Sequence, residues 1–253
     1  MTTADVALLA SLIFAAAAVY TSVGHAGASG YIAAMALFGL APEVMKPTAL
    51  ALNVMVAALA TYRWHNAGHV RWPALLPLIV TSIPCAFIGG AMHVPATLYR
   101  LIVGVVLVLA GLKLVLDPRE MNTARAGSAD VPWLGGALSG AAIGLLSGLT
   151  GTGGGIFLTP LLLFFGWAAA RQGAGLTAPF ILVNSAAGLA GNIYIVQRLP
   201  AELPYFLLAA LLGAVAGTQL GIRWAGPVSL QRLLGLRPST GARGGVEQSA
   251  VQI

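Results

Sequence analysis

The chain has little charge. Of its 253 residues, 8% are Asp, Glu, Lys or Arg, where soluble domains carry about 25%. It has a single cysteine, Cys85, which excludes an intrachain disulfide and any CxxC redox or metal motif. Cys85 lies inside an apolar run, so it reads as a small packing residue. The N-terminus lacks a basic segment and an A-x-A-like cleavage site before position 20, so residues 5–23 are expected to be a retained helix and not a signal peptide. No G-x-x-x-x-G-K-[ST] motif occurs, which argues against nucleotide-driven chemistry. The formal net charge of +6 comes without a basic cluster. The basic residues lie mostly between apolar runs and read as topology signals, not as a phosphate footprint.

What the chain has is apolar length. It is 58% hydrophobic, with a mean hydropathy of +0.88. Runs near the spanning length of about 17–25 residues recur at 5–23, 73–92, 98–116, 133–149, 177–196 and 203–222. A shorter one covers 47–62. The expectation is an all-α polytopic membrane protein. Trp64, Trp72, Trp133 and Trp224 sit near segment ends and are expected to be interfacial anchors.

Two stretches interrupt these runs in the same manner. Gly24-His25-Ala26-Gly27-Ala28-Ser29-Gly30 and Gly148-Leu149-Thr150-Gly151-Thr152-Gly153-Gly154 break helices where water cannot satisfy the freed backbone. Such backbone is tolerated at membrane depth only when buried in protein or lining a cavity. A matched pair of breaks, one in each half, points to the substrate site of a secondary transporter. The halves agree in order: an apolar helix, the break, a short arm ending at Gly39 or Gly166, a polar turn with Lys46 or Arg171, then a helix with Asn53 or Asn184. Further on, Pro95, Thr97, Leu98, Arg100 and Leu101 align with Pro227, Ser229, Leu230, Arg232 and Leu233. The expected division is a first transmembrane repeat at 1–116, a linker at 117–132, a second repeat at 133–236 and a polar tail at 237–253. The last helix of the second repeat is expected to be missing, since its apolar run stops near Leu236.

Charge placement tests the topology. If the repeats were parallel, six basic residues would fall on one face and seven on the other. If each broken segment enters and returns to the same face, the second half is inverted. Arg63, Arg71, Lys113, Arg119, Arg125, Arg171, Arg223, Arg232, Arg237 and Arg243 then share one face, against Lys46, Arg100 and Arg198. That split obeys the positive-inside rule. Two inverted-topology repeats with re-entrant segments are therefore expected, with the N-terminus outside and the linker and tail cytoplasmic.

The doubled glycine break, the Lys46-Pro47-Thr48-Ala49-Leu50 run before Asn53, and Gly-Leu-Thr-Gly-Thr-Gly-Gly-Gly at 148–155 resemble the TauE/SafE family of sulfite-exporter-like permeases. The resemblance covers roughly 5–236. It implies a bacterial inner-membrane transporter, expected to be an exporter, for sulfite, sulfonates or related sulfur-containing anions, with about eight spanning segments.

The residues that would carry this chemistry surround the breaks. A helix restarting after a glycine break offers free N–H groups and a positive dipole end to an anion. Gly24, Gly27, Gly30, Gly151, Gly153 and Gly154 would let the backbone approach an oxyanion, unless they serve only tight helix packing. Ser29, Thr150 and Thr152 add hydroxyls, and Asn53 and Asn184 place amides in apolar helices. His25 lies in the first break where the second copy has Leu149, an asymmetry that proton coupling would need. Lys46 and Arg171 are expected to mark the interface more than to guide anions. No catalytic residue, metal or cofactor is expected, and the partners are a small anion and membrane lipid, not nucleic acid. Two rival functions remain: a non-transporting membrane subunit, and a rhomboid-like protease suggested by Gly27-Ala28-Ser29-Gly30. Against the latter, the second copy replaces Ser29 with Gly153, and no later spanning run holds a histidine base.

Overall fold

A computed structural model describes residues 2–92, 130–168, 170–192 and 199–224. These residues form α1 (Thr3–Ser22), α2 (Ala28–Leu37), α3 (Pro42–Asn66), α4 (Trp72–Ala91), α5 (Trp133–Thr150), α6 (Gly155–Phe164), α7 (Ala170–Asn192) and α8 (Leu203–Trp224). No strand occurs among the described residues. Six of the helices are long and apolar enough to cross a membrane. The other two, α2 and α6, have 10 residues each, about 15 Å or half a hydrocarbon core. The expected run at 98–116, most of the linker, the alignment around Pro95 and Pro227, and the tail lie outside the described residues.

The two short arms end alike. Gly39 donates to Ala36 O and Leu40 to Met35 O; Gly166 donates to Leu163 O and Trp167 to Leu162 O. Each is a Schellman closure with glycine in the left-handed region, at φ 70° and 65°. Lys46 and Arg171 do not sit in the polar turns expected for them. Both lie inside helices, because α3 already starts at Pro42 and α7 at Ala170. Proline suits a first helical position, where its fixed φ is helical and its missing N–H costs nothing.

Packing rests on small residues. In α5, Gly136, Gly140, Gly144 and Gly148 abut Pro77, Leu78, Ser82 and Ala86 of α4 in that order, so the two helices run parallel. Likewise Gly213, Gly217 and Gly221 of α8 abut Phe14, Ala18 and Ser22 of α1, again parallel. Repeated glycine at every fourth position lets backbones approach closely, as it does between membrane helices. By contrast α3 and α7 run antiparallel. Gly188 faces Leu50, Asn53 meets Ser185, and Ala60 and Trp64 cluster with Ala174 and Ala178. Long apolar side chains such as Leu8, Val19, Leu134, Leu138, Leu208 and Leu212 stay exposed on the outer faces. Lipid would cover them.

Trp64 departs from its expected role as an interfacial anchor. It is 1% exposed and packs between α3 and α7, because the small Ala174 and Ala178 leave room for the indole. Trp72 and Trp133 are exposed at helix starts, as anchors would be. The Trp224 side chain lies outside the described residues.

Candidate functional site

The second break is a loop of buried glycines and threonines between α5 and α6. Gly151, Gly153 and Gly154 have φ of 76°, 75° and 81°. Thr150 Oγ1 lies 2.7 Å from Thr152 Oγ1 and accepts the Thr152 N–H at 3.2 Å. Fully buried Asn53 donates from Nδ2 to the Thr152 carbonyl and to Ser185 Oγ, each at 3.3 Å. A Cβ at Gly153 would stand 2.6 Å from both Asn53 Nδ2 and Ser185 Oγ. Only glycine allows this approach of the break to α3 and α7, and only glycine takes this φ without strain.

The first break follows α1, where Gly24 donates to Thr21 O and His25 to Tyr20 O. A Cβ at Gly24 would collide with the Ala174 carbonyl of α7. The His25 ring spans the gap to the other break. Its Nδ1 lies 3.2 Å from Val23 O, and its Nε2 lies 3.2 Å from Gly155 O and 3.3 Å from Thr159 Oγ1. Thr159 in turn lies 3.0 Å from Thr177 Oγ1, which donates to Gly173 O at 2.7 Å. The two breaks therefore meet at the first residue of α6. Tyr31 closes the first loop by donating its hydroxyl to Ala26 O.

Several donors at these loops have no acceptor among the described residues. They are the N–H groups of Ala28, Ser29 and Gly30 at the start of α2, and of Gly153, Gly154, Gly155 and Ile156 at the start of α6. Helix starts leave such groups free, and the helix dipole makes both positive. Ala28 and Gly153 to Gly155 are buried, so water does little for them. Half-buried Lys46 also reaches the second break. A Cβ at Gly151 would stand 3.0 Å from its Cγ, and its Nζ donates to Gly90 O at 3.2 Å. Asn53 Oδ1, Asn184 Oδ1 and Ser147 Oγ are buried without a partner among the described residues. Backbone N–H groups at two helix starts, with hydroxyls beside them, are donors of the kind that a small anion accepts from.

The profile of the family described as "Sulfite exporter TauE/SafE" matches residues 9–237. The chain belongs to this family. It is also 41% identical over 217 residues to "Probable membrane transporter protein y4hK" of Sinorhizobium fredii (strain NBRC 101917 / NGR234), covering 85% of this chain and 88% of that protein. No solved structure matches it. This TauE/SafE chain is a multi-pass membrane transporter.

Within the TauE/SafE fold the candidate residues separate into two groups. His25, Asn53, Thr150, Gly151, Thr152, Gly153 and Gly154 gather where the breaks meet α3, α6 and α7. Others turn elsewhere. Ser29 donates to the Tyr20 hydroxyl at 2.8 Å, an arrangement without the histidine base a serine nucleophile needs. Asn184 donates to Phe180 O of its own helix at 2.9 Å. Gly30 is helical, and a Cβ there would be 2.8 Å from Ala16 Cβ, so its contact is with α1. Gly27, at φ 102°, faces the Tyr31 hydroxyl. Thr159, Thr177 and Ser185 were not among the sequence candidates. Their signal was a hydroxyl inside an apolar helix, which is weak because such groups commonly bond back to their own helix.

Proposed function

We propose that this chain is a secondary transporter that moves a small sulfur-containing oxyanion, such as sulfite or a sulfonate, outward across the bacterial inner membrane. The observation that carries the reading is the meeting of two glycine breaks whose helix starts keep buried N–H donors free. The anion would lie against Gly151 to Gly154, within reach of the Thr150 and Thr152 hydroxyls and Asn53, with His25 linking the two breaks. The family description supplies the sulfur chemistry; the loops themselves call only for a small anion. Energy would come from a gradient, of protons or other ions, since no nucleotide motif is present.

The architecture proposed for this transport is a pair of inverted repeats, α1 to α4 and α5 to α8, with α2 and α6 as re-entrant arms. Inversion requires each helix to oppose its counterpart. The antiparallel course of α3 and α7 supports this. Parallel repeats would demand that α3 and α7 run the same way. Inverted repeats offer the same site to the two faces by rocking one half against the other.

Flux of radiolabelled sulfite into proteoliposomes tests the substrate. Purified wild-type protein should give saturable uptake, competed by methanesulfonate and unaffected by ATP. Uptake no faster than in protein-free liposomes, for sulfite and for simple sulfonates alike, would remove the substrate assignment.

A further inference from the structure

We propose that Lys46 supplies the positive charge that neutralises the carried anion at the second break, exchanging its bond to the Gly90 carbonyl for the anion. This rests on the transport reading above and adds to it the residue that makes the site selective for charge. An ammonium inside a membrane helix is expensive, and such groups face the protein interior and serve function. Among the described residues no carboxylate pairs with Lys46. Glu43, one turn earlier in α3, is exposed and makes no ion pair with it. What holds the charge is a single carbonyl at the end of α4, where the helix dipole is negative.

Three features place the ammonium at the site. The stem of Lys46 lies along Gly151. Its head lies at Gly90, against which Gly148 packs just before the break. Asn53, two turns further along α3, is fully buried beside Gly153 and keeps Oδ1 unpartnered. Letting go of Gly90 is also cheap. Asn192 Nδ2 donates to the same carbonyl at 3.2 Å, so that oxygen stays paired when Lys46 leaves. A lysine suits this exchange better than an arginine fork, because its ammonium is a point charge on a flexible stem.

The rival role is a cap on α4, and substitution separates the two. Lys46→Gln keeps an N–H donor for Gly90 O and removes the charge. The proposal expects the purified variant to unfold at the wild-type temperature while its KM for sulfite in proteoliposomes rises about tenfold or more. Lys46→Arg should stay within about threefold of wild type. A Lys46→Gln protein with wild-type KM would make Lys46 a cap only and leave the transport reading standing. Wild-type protein that binds neither sulfite nor methanesulfonate would sink the transport reading and this one with it. Wild-type protein also gives a test free of folding effects. The chain has two lysines, Lys46 and Lys113. Sulfite should slow acetylation of Lys46 relative to Lys113, read by mass spectrometry; equal rates with and without sulfite would overturn the proposal.

Discussion

At the scale of single residues, the second break turns on Gly153. Its φ of 75° and the 2.6 Å that a Cβ would stand from Asn53 Nδ2 and Ser185 Oγ leave no room for a side chain. Gly153→Ala should lower stability by about 1–3 kcal/mol, the cost of a non-glycine residue held in the left-handed region. Flux should fall further, because the Asn53 amide must also give way. Thermal unfolding in detergent and sulfite flux measure the two effects. Wild-type values in both would show that the loop relaxes and is not pressed on α3. Gly30 gives a contrast, since it is helical and packs on Ala16. The sequence makes both glycines look alike. What separates them is their neighbours, and these are set by tertiary packing. His25 was visible as an asymmetry between the copies, but its bond to Gly155 was not, for the two are 130 residues apart.

At the scale of elements, the glycine ladder of α5 is the largest feature outside the breaks. Gly136, Gly140, Gly144 and Gly148 are plain in the sequence as small residues at every fourth position, a known signature of close helix pairing. Their partner was not legible, because α4 has no matching glycine ladder and is recognised only from the backbone it offers. A Cβ at Gly144 would collide with the Ser82 carbonyl. Gly144→Leu should therefore force α4 and α5 apart and cost about 3 kcal/mol or more, the upper end of overpacking penalties, since it presses on backbone. The same change at exposed Gly39, where a Cβ would meet nothing within 4 Å, should cost about 1 kcal/mol from its positive φ alone. Melting temperatures of the two variants should rank in that order, and equal values would mean that the α4–α5 seam is not tight. Element boundaries were less legible than elements. The helix bearing Asn53 is longer than its apolar run because Pro42 and Glu43 begin it before hydropathy rises.

At the scale of the whole molecule, the proposed inversion of the second half rests on two independent arguments. The charge split places ten basic residues on one face against three on the other, but only if the second half is inverted. The packing direction of α3 against α7, which owes nothing to charge, agrees with the proposed inversion. In the proposed arrangement Lys46 would fall on the sparsely basic face, where its charge does not serve orientation. The arrangement predicts where chemical labels reach. On a Cys85→Ser background, cysteines at Asn122 and Thr240 should react with a membrane-impermeant maleimide only after the inner membrane is opened. A cysteine at Thr2, before α1, should react in intact spheroplasts. Reaction of Asn122→Cys in intact cells would place the linker outside. It would then break the inverted arrangement, since the N-terminus and the linker could not lie on opposite faces. The antiparallel α3–α7 crossing would remain, and the mismatch would lie in how many times the segment between α4 and α5 crosses the membrane.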